Sequence, residues 1–89
     1  LRLCSPGEAG QLTTDGVTEI SGTLPVNPSG GCLGVGNLLE LTGGQKVLDV
    51  VMQLRGEAGR NQISDVTTGM AMSWRGLPTT TGAAAILSN

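Results

Sequence analysis

Two short runs hold the residues with chemistry to offer. The first is Gly34-Val35-Gly36-Asn37. A glycine-rich entry to a helix can cradle an anion on its backbone N–H groups. The run has no third glycine of a dinucleotide fingerprint, and no Gly-Lys-Ser/Thr follows it, so tight-turn packing is the competing use. Asn37 fits an N-cap, whose side-chain oxygen accepts a backbone N–H, and equally a site residue. The second run is Ser73-Trp74-Arg75-Gly76, around the only tryptophan. At a strand end it would lie where α/β sheets gather their sites. Arg75 there could bind a phosphate or carboxylate, or be a solvated loop cation beside a core Trp74.

The chain has no histidine. The usual metal ligand, the usual general base and any Ser–His or Cys–His pair are therefore absent from these 89 residues. Cys4 and Cys32 alone do not make a zinc site. Cys32 reads as a small buried hydrophobe, because no base is at hand to activate it. With no secretory signal in view, both cysteines are expected as free thiols and the setting as cytoplasmic.

Composition narrows the field further. Net charge is −2, only 13% of residues are charged, and there is no basic run, which gives no support for nucleic-acid or membrane-surface binding. No stretch reaches the length of a bilayer span. An apolar fraction of 38% argues against disorder. With one aromatic residue and 15 glycines, the supply of large core side chains is poor. A chain this short buries only roughly 60–65% of its unfolded surface, so the core is thin. A thin core behind Leu1 rather than Met predicts a piece of something larger.

The elements that must position the two runs follow from periodicity. Residues 1–31 are broken every few positions by glycine or proline and read as loop and short strand. Leu24–Pro28 is extended, because a residue before proline is pushed out of the helical region, and Ser29–Gly31 turns. Residues 37–55 form the one convincing helix. It is apolar nearly all round, as a helix in the middle of a protein is. Asn37 with Glu40, and Thr42 with Gln45, compete as its start; Gly56 suits its C′ position. Residues 65–74 alternate, which predicts a strand. Val66, Met70, Met72 and Trp74 share one face; Thr67, Gly69, Ala71 and Ser73 share the other, so small that something must pack closely on it. Residues 76–82 read as a loop and residues 83–87 as a second strand of the doubly buried sort. The strands are expected to pair antiparallel, beneath the helix, as a layered α/β core lacking its other layers.

An ordered series then stands out: Pro25-Val26-Asn27-Pro28-Ser29-Gly30-Gly31, Gly36, Thr42-Gly43, and Gln53-Leu54-Arg55-Gly56-Glu57-Ala58-Gly59. With Gly7-Glu8-Ala9-Gly10 upstream and Gly82-Ala83-Ala84 at the close, it resembles the C-terminal end of thiolases across essentially the whole chain. The sterol-carrier-protein type and related bacterial and archaeal thiolase-like proteins are the nearest in pattern. The resemblance implies an α/β fold, with residues 1–89 as the C-terminal portion of a layered αβαβα thiolase domain. It implies a coenzyme A thioester as substrate and no permanently bound cofactor. It also implies a missing N-terminal half, a homo-oligomer, and in some relatives a small OB-fold and zinc-ribbon partner protein.

The departures from the family pattern bear directly on function. Thiolases carry Gly-His-Pro at the start of this helix, where the histidine helps form an oxyanion hole and activate the nucleophile. Gly36-Asn37-Leu38 stands there instead. Asparagine can still donate to an oxyanion but cannot take a proton at neutral pH. Thiolases also carry Cys-x-Gly at the end of the following strand, with a cysteine that shuttles the α-proton. The matching run is Ser73-Trp74-Arg75-Gly76. The resemblance thus places Asn37 and Ser73 at the catalytic positions and Gly36, Arg75 and Gly76 along the substrate. Other thiolase-like proteins altered at this pair have moved toward retro-aldol cleavage or bulky acyl groups. The rival reading is a non-catalytic module that binds acyl-CoA or lipid, or supports a partner enzyme.

Overall fold

A computed structural model describes residues 2–75 and 81–89. Along the chain it has helix α1 (Ala9–Thr14), helix α2 (Gly31–Val35), helix α3 (Thr42–Leu54), strand β1 (Thr68–Arg75) and strand β2 (Thr81–Ser88). Single 3₁₀ turns at Leu39–Leu41 and Gly59–Asn61 flank α3. The architecture is α/β: one long helix laid over a two-stranded antiparallel sheet.

The strand pairing follows the expected pattern, with Met70 opposite Ile86, Ala71 opposite Ala85 and Ser73 opposite Ala83. The small face of β1 does receive a close neighbour. A Cβ added at Gly69 would lie 2.7 Å from Val50 Cγ1, and one at Gly43 would lie 3.4 Å from Ser73 Cβ. Small residues on the strand thus let α3 approach, and Ala71 between them is only 5% exposed. Gln53 is the other buried residue, so the core among the described residues is as thin as the length predicts.

Several boundaries differ from the sequence reading. The helix expected over 37–55 starts at Thr42. Leu39 sits at φ +55°, and its N–H donates to Asn37 Oδ1, a local turn that competes with helix. Neither capping box forms: Leu41 holds the N-cap position without a side-chain bond, and Gln45 Nε2 donates to Asp49 instead. The far end is as expected. Gly56 at φ +71° donates to the Gln53 carbonyl and Glu57 to that of Met52, the paired bonds of a Schellman stop.

Residues 1–31 contain α1 and, among those described, no strand. In α1 the Thr13 and Thr14 hydroxyls donate to the carbonyls of Ala9 and Gly10 one turn back. Thr81 and Gly82, read as loop, belong to β2, while residues 76–80 lie outside the described residues. β2 is not doubly buried: only Leu87 is even half-covered. The helix lies mainly over β1, leaving β2 as an open edge strand. Cys32 is exposed on α2 rather than buried, and both cysteines are free thiols.

Candidate functional site

Asn37 lies in the link between α2 and α3 rather than on the helix. Its Oδ1 accepts the Leu39 N–H at 3.0 Å and the Thr42 hydroxyl at 2.7 Å. Two donors on one oxygen fix which end of the amide is which. The Nδ2 donor therefore points away from this pair, and it makes no bond among the described residues. Gly36 precedes it at φ +91°, ψ 170°, a conformation essentially reserved for glycine. An added Cβ there would meet nothing within 4 Å, so Gly36 is kept for its backbone, not for packing.

The Gly34-Val35-Gly36 run is not a cradle at the entry of α3. Gly34 and Val35 belong to α2, and five residues separate Gly36 from α3. A Cβ at Gly34 would lie 2.5 Å from the Ser29 carbonyl oxygen, so tight packing explains that glycine.

Ser73 sits half-buried near the end of β1, against the first turn of α3. Its Oγ would lie 3.6 Å from a Cβ at Gly43 and makes no hydrogen bond among the described residues. The same helical turn thus holds Asn37 through Thr42 and Ser73 through Gly43. Arg75 lies two residues on, exposed, opposite Thr81. Gly76 falls outside the described residues. An open depression of about 210 Å³ adjoins Ser73, lined by Met72, Trp74, Gly82, Ala83 and Ala84.

Lys46 was not singled out by sequence reasoning. Its Nζ donates to the Met72 carbonyl at 3.1 Å and lies 5.9 Å from the centre of the Trp74 ring. The signal was available: Gly43, Lys46, Val50 and Gln53 recur at helical spacing, so a cation occupies the stripe that faces the sheet. Trp74 itself is 49% exposed, not a core residue.

Behind the site, Ser29 Oγ and Gln45 Nε2 donate to the two oxygens of Asp49, tying the Pro28-Ser29 turn to α3. Gln53 and Gln62 form a knot at the far end. Gln53 Nε2 donates to the Asn61 carbonyl and its Oε1 accepts the Ile63 N–H; Gln62 Nε2 donates to the carbonyls of Gln53 and Ile63. Among the described residues no cluster of metal-ligating side chains occurs, and no helix is long and apolar enough to cross a membrane.

The family model described as thiolase C-terminal domain-like matches residues 1–89. An acetyl-CoA acetyltransferase of Methanothermobacter thermautotrophicus is 48% identical over 64 residues, 72% of this chain and 17% of the relative. Sterol carrier protein 2 of Rattus norvegicus is 40% identical over 63 residues, 71% of this chain and 12% of the relative. A steroid side-chain-cleaving aldolase of Thermomonospora curvata is 37% identical over 79 residues, 89% of this chain and 19% of the relative. The chain spans less than a fifth of the length of each of these relatives. No solved structure matches.

Proposed function

Because the chain belongs to the thiolase C-terminal domain-like family, we propose that it supplies part of a coenzyme A thioester site in an acyl-CoA enzyme that makes or breaks a carbon–carbon bond. In this reading residues 1–89 are the C-terminal portion of a thiolase domain. The N-terminal half, in the same protein, contributes the nucleophile and the rest of the pocket.

The observation that supports it most is the state of Asn37. Its oxygen is committed to Leu39 and Thr42, so Nδ2 is left as a fixed donor, at the position the resemblance matches to the family's histidine. As a thioester carbonyl gathers negative charge, a preoriented N–H stabilises it without reorganisation. No proton moves to Asn37, because an amide is not a base at neutral pH. The Ser73 hydroxyl and the Arg75 guanidinium line the acyl end and hold substrate or water, and Gly36 lets backbone approach the thioester. Coenzyme A thioester is the substrate, with no resident cofactor. The free thiols fit a reducing, cytoplasmic setting. A homo-oligomer and a small OB-fold and zinc-ribbon partner complete the assembly by analogy with the family.

The test is made on the full-length protein with a panel of acyl-CoA thioesters. Asn37→Ala should lower kcat/KM by about 10²-fold, the usual cost of one oxyanion donor. Asn37→Asp keeps both accepted bonds but replaces the donor with an anionic oxygen, and should lose at least as much. If Asn37→Ala stays within about twofold, the oxyanion role is wrong, since a lost donor cannot cost so little.

A second reading has its own observation: the chain has no histidine, and the resemblance matches Ser73 to the family's proton-shuttling cysteine. A non-catalytic thiolase-like module that binds acyl-CoA or lipid, or supports a partner enzyme, would need neither. Acyl-CoA binding without turnover across the panel would favour it. Detectable carbon–carbon cleavage or formation would rule it out.

A further inference from the structure

We propose that Lys46 is a positioning residue for Ser73, holding the end of β1 against the first turn of α3. The proposal rests on the reading of Ser73 as part of an acyl-CoA site.

The face of α3 turned to the sheet carries Gly43, Val50 and Gln53, and each has a packing reason already given. Lys46 shares that face and is half-buried there. A charge drawn from water onto the stripe that faces the sheet is costly unless it finds partners there.

Its partners show what it holds. The Thr67 carbonyl accepts the Asn89 N–H, so odd-numbered residues of β1 exchange bonds with β2. The Met72 carbonyl therefore points to the edge that β2 leaves unpaired. The Lys46 ammonium takes up that carbonyl, and the Trp74 ring lies within the reach of a cation–π contact. Met72 and Trp74 are the two neighbours of Ser73. One cation thus fixes the strand on both sides of the serine, while Gly43, one helical turn earlier, sets how closely Ser73 meets α3. Without the charge, the last residues of β1 lose their anchor on the helix, and the distance between Ser73 and the Asn37 donor is no longer set.

The experiment is a double-mutant cycle in the full-length protein, with acetyl-, acetoacetyl- and long-chain acyl-CoA as probes. Lys46→Met should lower kcat by about tenfold with KM within about twofold, as a small misplacement of a reacting group does. Lys46→Arg, which keeps charge and donor, should recover most of the rate. In the Ser73→Ala background Lys46→Met should add little, because the residue acts through the serine. A merely structural lysine would instead multiply with Ser73→Ala. That result, or a wild-type kcat in a folded Lys46→Met protein, overturns the proposal. If Lys46→Met does not fold, Lys46→Gln, which keeps a donor but no charge, takes its place in the same cycle with the same criteria. A wild-type protein inert to every probe overturns the reading of the site, and this proposal with it. An active wild type indifferent to Lys46 overturns the proposal alone.

Discussion

At its C-terminal end α3 is closed on every side: a Schellman stop at Gly56, two glutamines whose amides satisfy the following loop, and Gln53 itself buried. At its N-terminal end the helix begins on Leu41 with no side-chain cap, and among the described residues the Asn37 amide donor and the Ser73 hydroxyl make no hydrogen bond. Both ends are polar. The difference is that one spends its hydrogen-bonding capacity on its own backbone and the other keeps some in hand. Satisfied networks rigidify, and unspent donors held in fixed positions are what a ligand can use. In the proposed function the closed end is the support and the open end is the site.

The strongest break in that comparison is Gln53→Leu. It leaves the Asn61 carbonyl and the Ile63 N–H without partners, and should cost about 3 kcal/mol of stability, read as a denaturant midpoint in the full-length protein. The kcat of the protein that remains folded should not change. A loss of activity at constant folded fraction would mean the closed end also tunes the site.

Gly69→Ala comes next. Its Cβ would fall 2.7 Å from Val50 Cγ1, and overpacking of that kind should cost about 2 kcal/mol. Adding Val50→Ala should recover most of it. If the double variant is no better than the single one, helix and strand are not held apart by that pair.

Thr42→Val should have the smallest effect on stability, within about 0.5 kcal/mol, because the lost bond is exposed. It removes one of the two donors that orient Asn37. Turnover should fall severalfold, the opposite signature to Gln53→Leu. An unchanged rate would show that Leu39 alone holds the amide.

Periodicity in the sequence was enough for the elements that face one another locally. Period-two alternation located β1, the small face Gly69-Ala71-Ser73 announced a close neighbour, and Gly56 marked the end of α3. These features are written into residue size and spacing, which act over a few positions. The start of α3 was not legible in the same way. Asn37 and Thr42 each look like a cap, but with Leu39 at a positive φ the N-cap position falls to Leu41. Within residues 1–31 α1 was not legible, because a six-residue helix leaves no periodic trace among glycines.

The sequence by itself determined the family pattern, the absence of a histidine from these 89 residues and the pairing of a helix with two strands. Each depends on which residues are present and in what order. The tertiary structure decided which end of α3 is open, which atom of Asn37 is committed, that β2 stands exposed, and that Lys46 reaches the strand that carries Ser73. Those depend on distances between residues far apart in the chain, such as Lys46 and Met72. Hydrophobic patterning says which face turns inward. It does not say which polar atom on that face finds a partner, because hydrogen bonding is set by tenths of an ångström and by angle.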